Sequence, residues 1–355
     1  MIISMKCVIF GASGYAGQEL LRVLSNHPHF EVVGVGGGSA KGFKVKDLYP
    51  GSSSVIAELV FLDNDELTWV VRDEKVPLVF LALPHGESQR LMPELLKITS
   101  HVIDLAADFR IKDPQSYEEW YGHRHGCPEL LNEAVYGLPE LNRSQIKGAR
   151  LVAAPGCYPT ASILAMLPLV KSGYSKGKVV VDAASGVSGA GRSLRIENLA
   201  MSVMEEFRAY GLKGHRHTVE IENALGVTAL FTPHLAPMKR GILATCYLEP
   251  SQSFLKEFDG ANPEEVDEYL YGMYLQFYEA EPFVKLSYVP VGTASVYGSN
   301  DVAVSVVFDQ RTHTFIAFGA VDNLTKGAAG QGVQCANLVV GYAEESGLTQ
   351  LGVWP

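Results

Sequence analysis

One cysteine in this chain lies where backbone electrostatics would make it a nucleophile. The stretch Leu151-Val-Ala-Ala-Pro-Gly-Cys157-Tyr-Pro-Thr-Ala-Ser-Ile-Leu164 reads as a short apolar strand, a Pro155-Gly156 turn and a helix that begins at Cys157, with Pro159 suited to its first turn. A thiol at a helix N-terminus faces unpaired N–H groups and the positive end of the dipole, and both favour thiolate. The competing reading is a small buried hydrophobe, a common fate of a lone cysteine. A thiolate nucleophile works with an acid/base partner, and Gly214-His215-Arg216-His217-Thr-Val-Glu220-Ile221 offers two histidines. If His217 lies in the first turn of a helix, Glu220 shares its face and orients the imidazole. Taken alone, such a cluster is more often structural.

Other residues suit anions. Gly11-Ala-Ser13-Gly14-Tyr15-Ala16-Gly17 follows the apolar run Cys7–Phe10 and precedes a helical stretch with Ala16, Leu20, Val23 and Leu24 on one face. Strand, glycine turn and helix in that order form the context of a dinucleotide fingerprint, although the spacing is G-x-x-G-x-x-G. Its alternative is a tight turn with no ligand. Arg110, in Ala106-Ala-Asp-Phe-Arg110, has the rigid fork that grips phosphate or carboxylate, against the plainer reading of a surface ion pair. His123, His125 and Cys127 alternate in a way that could meet on one metal from a strand, but no fourth ligand accompanies them and no metal is expected. A loop covering the sheet edge is the preferred reading of that segment.

Composition narrows the function classes. The chain has 355 residues, enough for two domains, with 47% apolar and 19% charged residues. A formal charge of −10 argues against a nucleic-acid partner, and no apolar run reaches the length of a membrane span. The start, Met1-Ile-Ile-Ser-Met-Lys6, lacks signal-peptide architecture. Five scattered cysteines (Cys7, Cys127, Cys157, Cys246, Cys335) do not form a disulfide framework, so a cytoplasmic setting is expected.

These residues must be carried by sheets. Phe30–Gly36 reads as a second strand, followed by Gly37-Gly38-Ser39-Ala-Lys41, a loop with a hydroxyl and a cation and no carboxylate. An NAD site normally places an acid there for the ribose 2′-OH, so Ser39 and Lys41 favour NADP(H); a solvated loop lysine is the alternative. Val76–Leu83, with the turn Pro84-His85-Gly86, and His101–Leu105 are further buried strands. Their C-terminal ends share one edge of a parallel sheet. After Cys157 the pattern changes: Lys178–Asp182 is a strand, and Ala183–Arg192, with Ser188 and Gly189, a glycine-rich loop that can present N–H groups to an anion. Asn262-Pro-Glu-Glu265 starts a helix whose buried stripe is Val266, Leu270, Met273, Tyr274 and Phe277. Val302–Phe308 and Thr314–Val321 alternate as a hairpin. Asp322–Gln331 opens a terminal helix with Val333, Leu338, Val339 and Tyr342 among its apolar positions. This helix is expected to return to the first domain and close the cofactor cleft. The fold class is therefore a Rossmann-type α/β domain, residues 1–155 with 326–355, plus an α+β domain with a mixed or antiparallel sheet, residues 156–325. The exposed face of that second sheet suits dimerisation.

Six motifs together resemble the N-acetyl-γ-glutamyl-phosphate reductase family, within the wider aspartate-semialdehyde dehydrogenase-like family: GASGYAG at 11–17, APGCYPT at 154–160, SGVSGAGR at 185–192, GHRHTVEI at 214–221, PHLAPMKRG at 233–241 and NLTKGAAGQGVQ at 323–334. The resemblance spans nearly the whole chain, with Gly36–Lys41 the least typical stretch. It implies an NADPH-dependent oxidoreductase of arginine biosynthesis that turns N-acetylglutamyl 5-phosphate into the semialdehyde and phosphate through a thioester on Cys157. It further implies His217 as proton shuttle, with His215 second and Glu220 its orienter, and Arg110 and Arg240 on the substrate. Gly11, Ser13, Gly14, Tyr15, Ala16, Gly17, Ser39, Lys41, Pro84, His85, Ser188, Gly189 and Asn323 fall on the cofactor, and a homodimer or homotetramer is expected. The alternatives are a reductase of aminoadipyl or aspartyl phosphate, a cofactor-free Cys-His hydrolase, and a nucleotide-binding regulator without turnover.

Overall fold

Short apolar runs that stay buried on both faces build the first sheet. Its strands are β1 (Met5–Phe10), β2 (Phe30–Gly36), β3 (Phe61–Leu62), β4 (Leu78–Leu81), β5 (His101–Asp104), β6 (Val135–Tyr136) and β7 (Leu151–Ala153), in the order β3-β2-β1-β4-β5-β7-β6. Every pairing is parallel. All four residues of β4 are fully buried, the pattern of a parallel sheet covered by helices on both sides. Strand order reverses between β1 and β4, the switch point at which open α/β sheets bind ligands. The helix Gly330–Val340 packs on the helices Tyr15–Leu24 and Pro139–Ile146 and on β5, so the chain's end does return to this sheet.

The computed structural model describes residues 4–193, 196 and 199–353. It divides the chain into two units: Met1–Gly156 with Ala328–Gln350, and Cys157–Gly327 with Leu351–Pro355. The expected domain limits reached Met1–Ile3 and Trp354–Pro355, which lie outside the described residues.

The second unit is organised on the helix Cys157–Lys171, apolar on all sides and buried from Tyr158 to Leu169, as a helix at the centre of a domain must be. It packs on a mixed sheet of β8 (Ser175–Gly186), β9 (Arg208–Ala209), β10 (Thr228–Ala236), β11 (Ile242–Pro250), β12 (Val284–Leu286), β13 (Val302–Asp309) and β14 (Thr314–Val321). The order is β12-β13-β14-β11-β8-β10-β9, with β8–β10 and β12–β13 parallel and the other pairs antiparallel. Helix and sheet meet closely where Gly319 leaves no room for a side chain against the Ala161 carbonyl.

Several local expectations are corrected. Ala183–Gly186, read as loop, continues β8, because Ala183, Ala184 and Ser185 pair with β10 on one side and β11 on the other; only Val187–Ala190 turns, as a short 3-10 segment. The helix Pro263–Phe277 starts on Asn262 with Glu265 completing its capping box, but Phe277 is exposed and Tyr278, beyond the helix end, is buried in its place. Tyr278 turns inward because its hydroxyl donates to the Leu164 carbonyl at 2.5 Å. The terminal helix is preceded by a π-turn, Thr325–Ala329, and ends at left-handed Gly341, so Tyr342 lies past it. Lys326, Gly327 and Leu351–Val353 belong to the second unit, not the first, with Val353 N–H donating to Tyr297 O at 2.7 Å. His123–Cys127, by contrast, is loop, the reading preferred from the sequence. His125 Nε2 meets Asp108 O at 3.0 Å and Cys127 Sγ donates to Gln89 O at 3.3 Å, so these groups point into the fold.

Candidate active site

Cys157 opens its helix as the sequence suggests, and it is the one cysteine of the five that is not buried. Burial pushes the Cys7 and Cys246 thiols well above their ordinary range and Cys127 up to about 12, which disarms them. Gly327 lies directly against Cys157: a Cβ on that glycine would stand 2.8 Å from the Cys157 Cβ.

A cage of rings surrounds the residue that follows the cysteine. The Tyr158 ring meets His215 at 6.0 Å, His217 at 5.8 Å and Phe231 at 5.2 Å, all edge-on, and His215 meets His217 at 4.7 Å. Tyr210 OH donates to Tyr158 OH at 3.1 Å, which donates to the His234 carbonyl at 3.0 Å. Burial and the neighbouring Cys157 charge raise the tyrosine hydroxyls, Tyr210 up to about 12, so both stay protonated donors.

The two histidines are not equivalent. His217 is the first residue of the helix His217–Leu225, which brings Glu220 onto its face with Nε2 3.8 Å from Glu220 Oε1; the Glu220 side chain is fully buried. His215 stands before that helix, and its Nδ1 accepts the His217 backbone N–H at 3.2 Å. Burial lowers His215 to about 4, with Arg216 adding to the effect. It is therefore a neutral imidazole with its proton on Nε2, capping the helix that carries His217.

In the first unit the glycine turn separates what the fold needs from what a ligand needs. Gly11 has φ +76° and no room for a side chain against the Ala82 carbonyl; at Gly17 a Cβ would come within 2.5 Å of Ala12 Cα. Gly14 meets nothing closer than Gly11 O at 3.5 Å, so the protein itself does not require a glycine there. Gly14 is the N-cap of the helix Tyr15–Leu24, and no side chain caps that helix. An uncapped helix start beside an open glycine is a cradle for a pyrophosphate, and this surface fits a dinucleotide cofactor.

Residues 6–149 match the family described as semialdehyde dehydrogenase, NAD binding domain, and residues 157–323 match semialdehyde dehydrogenase, dimerisation domain. The N-acetyl-gamma-glutamyl-phosphate reductase of Lachnoclostridium phytofermentans is 44% identical, covering 99% of this chain and 100% of that protein. The proteins of the same name from Geobacter sulfurreducens and Cellvibrio japonicus are 44% and 42% identical, with the same coverage. The chain belongs to the N-acetyl-γ-glutamyl-phosphate reductase family. It is an oxidoreductase of the phosphorylating semialdehyde dehydrogenase kind and uses a nicotinamide cofactor. Among solved structures it resembles Vibrio cholerae aspartate semialdehyde dehydrogenase II complexed with ASA (TM-score 0.70, 16% identity, 95% of this chain and 98% of that one). It also resembles the Candida albicans aspartate semialdehyde dehydrogenase with NADP (TM-score 0.69, 15% identity, 95% and 98%).

Other residues singled out in this reductase-family chain are placed as follows. Ser13 Oγ donates to Gly37 O at 3.0 Å, tying the glycine turn to the end of β2. Ser39 lies in the 3-10 segment Gly38–Ala40; Lys41 Nζ bridges Asp63 at 2.5 Å and Glu66 at 2.8 Å. Pro84 and His85 form the turn after β4, held by Asp108, whose two oxygens each accept Gly86 N–H at 2.9 Å and one of which accepts Ser88 Oγ at 2.8 Å. Arg110, two residues on, donates to Leu105 O at 2.8 Å. In the second unit Asn323 accepts Gly241 N–H at 2.6 Å and donates to Ser188 Oγ at 3.0 Å, joining the turn that carries Ser188 and Gly189 to the residue after Arg240. Sequence reasoning passed over Tyr158, Tyr210, Asp108, Asp322 and Gly327. Tyr158 and Asp108 lie inside motifs already singled out, beside Cys157 and Arg110, and Asp322 precedes the Asn323 motif; Tyr210 carried no local signal.

Among the described residues no helix is long and apolar enough to cross a membrane, and no cluster of metal-ligating side chains occurs.

Proposed function

We propose that the chain reduces N-acetyl-L-glutamyl 5-phosphate to N-acetyl-L-glutamate 5-semialdehyde, releasing phosphate, with NADPH, as a step of arginine biosynthesis. The observation that carries this reading is Cys157: partly open, first in its helix, backed by Gly327 and followed by the ring cage that contains His217.

The thiolate of Cys157 attacks the acyl carbon, and the carbon–oxygen bond to phosphate breaks with phosphate leaving. The resulting thioester is electrophilic where a free carboxylate is not. The reduced nicotinamide, when bound, supplies a hydride to that acyl carbon. His217 gives a proton to the developing oxyanion and takes it back as the C–S bond breaks, which frees the aldehyde and regenerates the thiolate. His215, neutral and committed to the helix N–H, serves as the cap that aims His217. Arg110 and Arg240 grip the anionic ends of the substrate.

Gly11, Ser13, Gly14, Tyr15, Ala16 and Gly17 hold the pyrophosphate; Ser39 and Lys41 select the 2′-phosphate, hence NADP over NAD. Pro84, His85, Ser188, Gly189 and Asn323 are the candidates for the nicotinamide side. Leu230 and Tyr247, 50% and 37% exposed on the second sheet, support assembly as a homodimer or homotetramer through that face. No two of the five cysteines form a disulfide, which supports a cytoplasmic setting.

The test is a steady-state assay in the reverse direction, with semialdehyde, inorganic phosphate and either NADP or NAD. Phosphate-dependent NADP reduction by the wild type, abolished in Cys157→Ser, is expected. Full activity in that variant overturns the thioester mechanism.

A further inference from the structure

Tyr210 is where the chain leaves the second sheet for the two histidines. Arg208 and Ala209 pair with Leu235 and His234 of β10, and Tyr210 N–H donates to Pro233 O at 3.0 Å. Gly211 and Lys213 then take left-handed backbone, and the chain doubles back sharply: a Cβ on Gly211 would lie 3.0 Å from His215 Cδ2. This fold-back sets the Tyr210 ring edge-on to His215 at 5.7 Å, and His215 is the cap of the helix that carries His217. The Tyr210 hydroxyl reaches the residue beside the nucleophile, donating to Tyr158 OH at 3.1 Å, and Tyr158 OH donates to His234 O at 3.0 Å. Each hydroxyl gives its one proton, and the chain of bonds ends on a carbonyl, which has none to pass on. These bonds therefore hold groups in place and do not relay protons. The Tyr210 ring is 36% exposed, so packing fixes it only on one side and the hydroxyl bond supplies the rest.

We infer that Tyr210 is a positioning residue: its hydroxyl latches residues 208–216 onto Tyr158 and so fixes where His215 and His217 stand relative to Cys157. The inference rests on the reading of His217 as the proton shuttle, and adds to it the group that aims the imidazole. Proton transfer needs the ring nitrogen within hydrogen-bond reach of the reacting oxygen, so a small loss of aim slows the chemical step and leaves binding alone.

Tyr210→Phe removes one oxygen and keeps the ring. The reverse reaction, followed as NADPH formation in a single turnover with enzyme in excess over NADP, reads the chemical step free of product release. Its rate is expected to fall about three- to tenfold, the size of one neutral hydrogen bond, with the steady-state KM values for semialdehyde, phosphate and NADP within about twofold of wild type. In a His217→Gln background the same change is expected to cost nothing further, because the group it aims is gone. Tyr158→Phe breaks the latch from the other side, is expected to lose at least as much, and decides the matter if Tyr210→Phe does not fold. A wild-type rate in His217→Gln overturns the proton-shuttle reading and this inference with it. If His217→Gln is slow, three results overturn this inference alone: a wild-type rate in the folded latch variant, a rise in KM as large as the fall in rate, or an undiminished loss in the His217→Gln background.

Discussion

Gly327 and Cys157 are packed so closely that a methyl group on the glycine would lie 2.8 Å from the cysteine Cβ and 3.3 Å from its Cα. Neither neighbour is the loose end of a side chain, so Gly327→Ala must push the nucleophile or the π-turn that carries residue 327. Overpacking of this kind costs about 1–3 kcal/mol, and displacing a reacting atom by an ångström costs about a hundredfold in rate. The variant should fold with a lowered Tm, lose about a hundredfold in kcat and alkylate more slowly at Cys157 with iodoacetamide. Wild-type kcat in this variant would show that the contact does not hold the thiol.

The asymmetry of the histidines predicts unequal losses. His217→Gln removes the proposed acid/base group and should lower kcat by about 10²–10⁴. His215→Asn retains an acceptor for the His217 N–H and should cost less than about tenfold. Burial holds His215 near 4, so a change of rate with pH around neutrality should survive in His215→Asn and vanish in His217→Gln. A greater loss at position 215 would exchange the two roles.

The proposed 2′-phosphate role of Lys41 would link cofactor choice to surface charge. Its ammonium is shared by Asp63 and Glu66, all three about half exposed, and such ion pairs hold weakly. A 2′-phosphate therefore competes well for it. Lys41→Gln should raise the NADPH KM about tenfold and leave the NADH KM unchanged, while Glu66→Gln should lower the NADPH KM two- to threefold, changes sized by a charge-assisted hydrogen bond at a solvent-exposed site. Equal changes for both cofactors in Lys41→Gln would remove Lys41 from the 2′-phosphate site.

Asp104, at the end of β5, gives a pH signature in stability. Burial, with Asp108 beside it, raises its carboxyl to about 7. The folded chain then keeps a proton that the unfolded chain releases near 3.8, so the contribution of this group to stability is full below about 4, falls as pH rises and is lost above about 7. Asp104→Asn should flatten that decline. His27, lowered to about 4 by burial, acts in the opposite sense and loses stability as pH drops from about 6.5 towards 4. Denaturant midpoints at pH 5, 6, 7 and 8 for wild type and Asp104→Asn check the claim; parallel curves would refute it.

Local physics was readable directly from the chain. The strands Phe30–Gly36 and Thr314–Val321 have the ends their apolar patterns suggest, the Asn262 capping box forms, and helices start at Cys157 and His217. Each depends on backbone sterics, capping hydrogen bonds or side-chain period within about ten residues, and that information is wholly local. What escaped was decided by chain segments that meet from afar. Ala183–Gly186 looked like loop because its small residues carry no strand pattern, and it became strand because β10 and β11 claimed its hydrogen bonds.

The site divides the same way. Residue types and spacing singled out the groups proposed to carry the chemistry: a thiol at a helix start, two histidines with a carboxylate one turn on, and a glycine turn after the first strand. Tertiary structure decided how those groups are armed. It left Cys157 partly open while burying four other thiols, made His215 a neutral cap, and brought Asp322 to Arg240 across 82 residues. Desolvation and long-range pairing depend on which surfaces the fold brings together, and no short stretch of sequence contains that information.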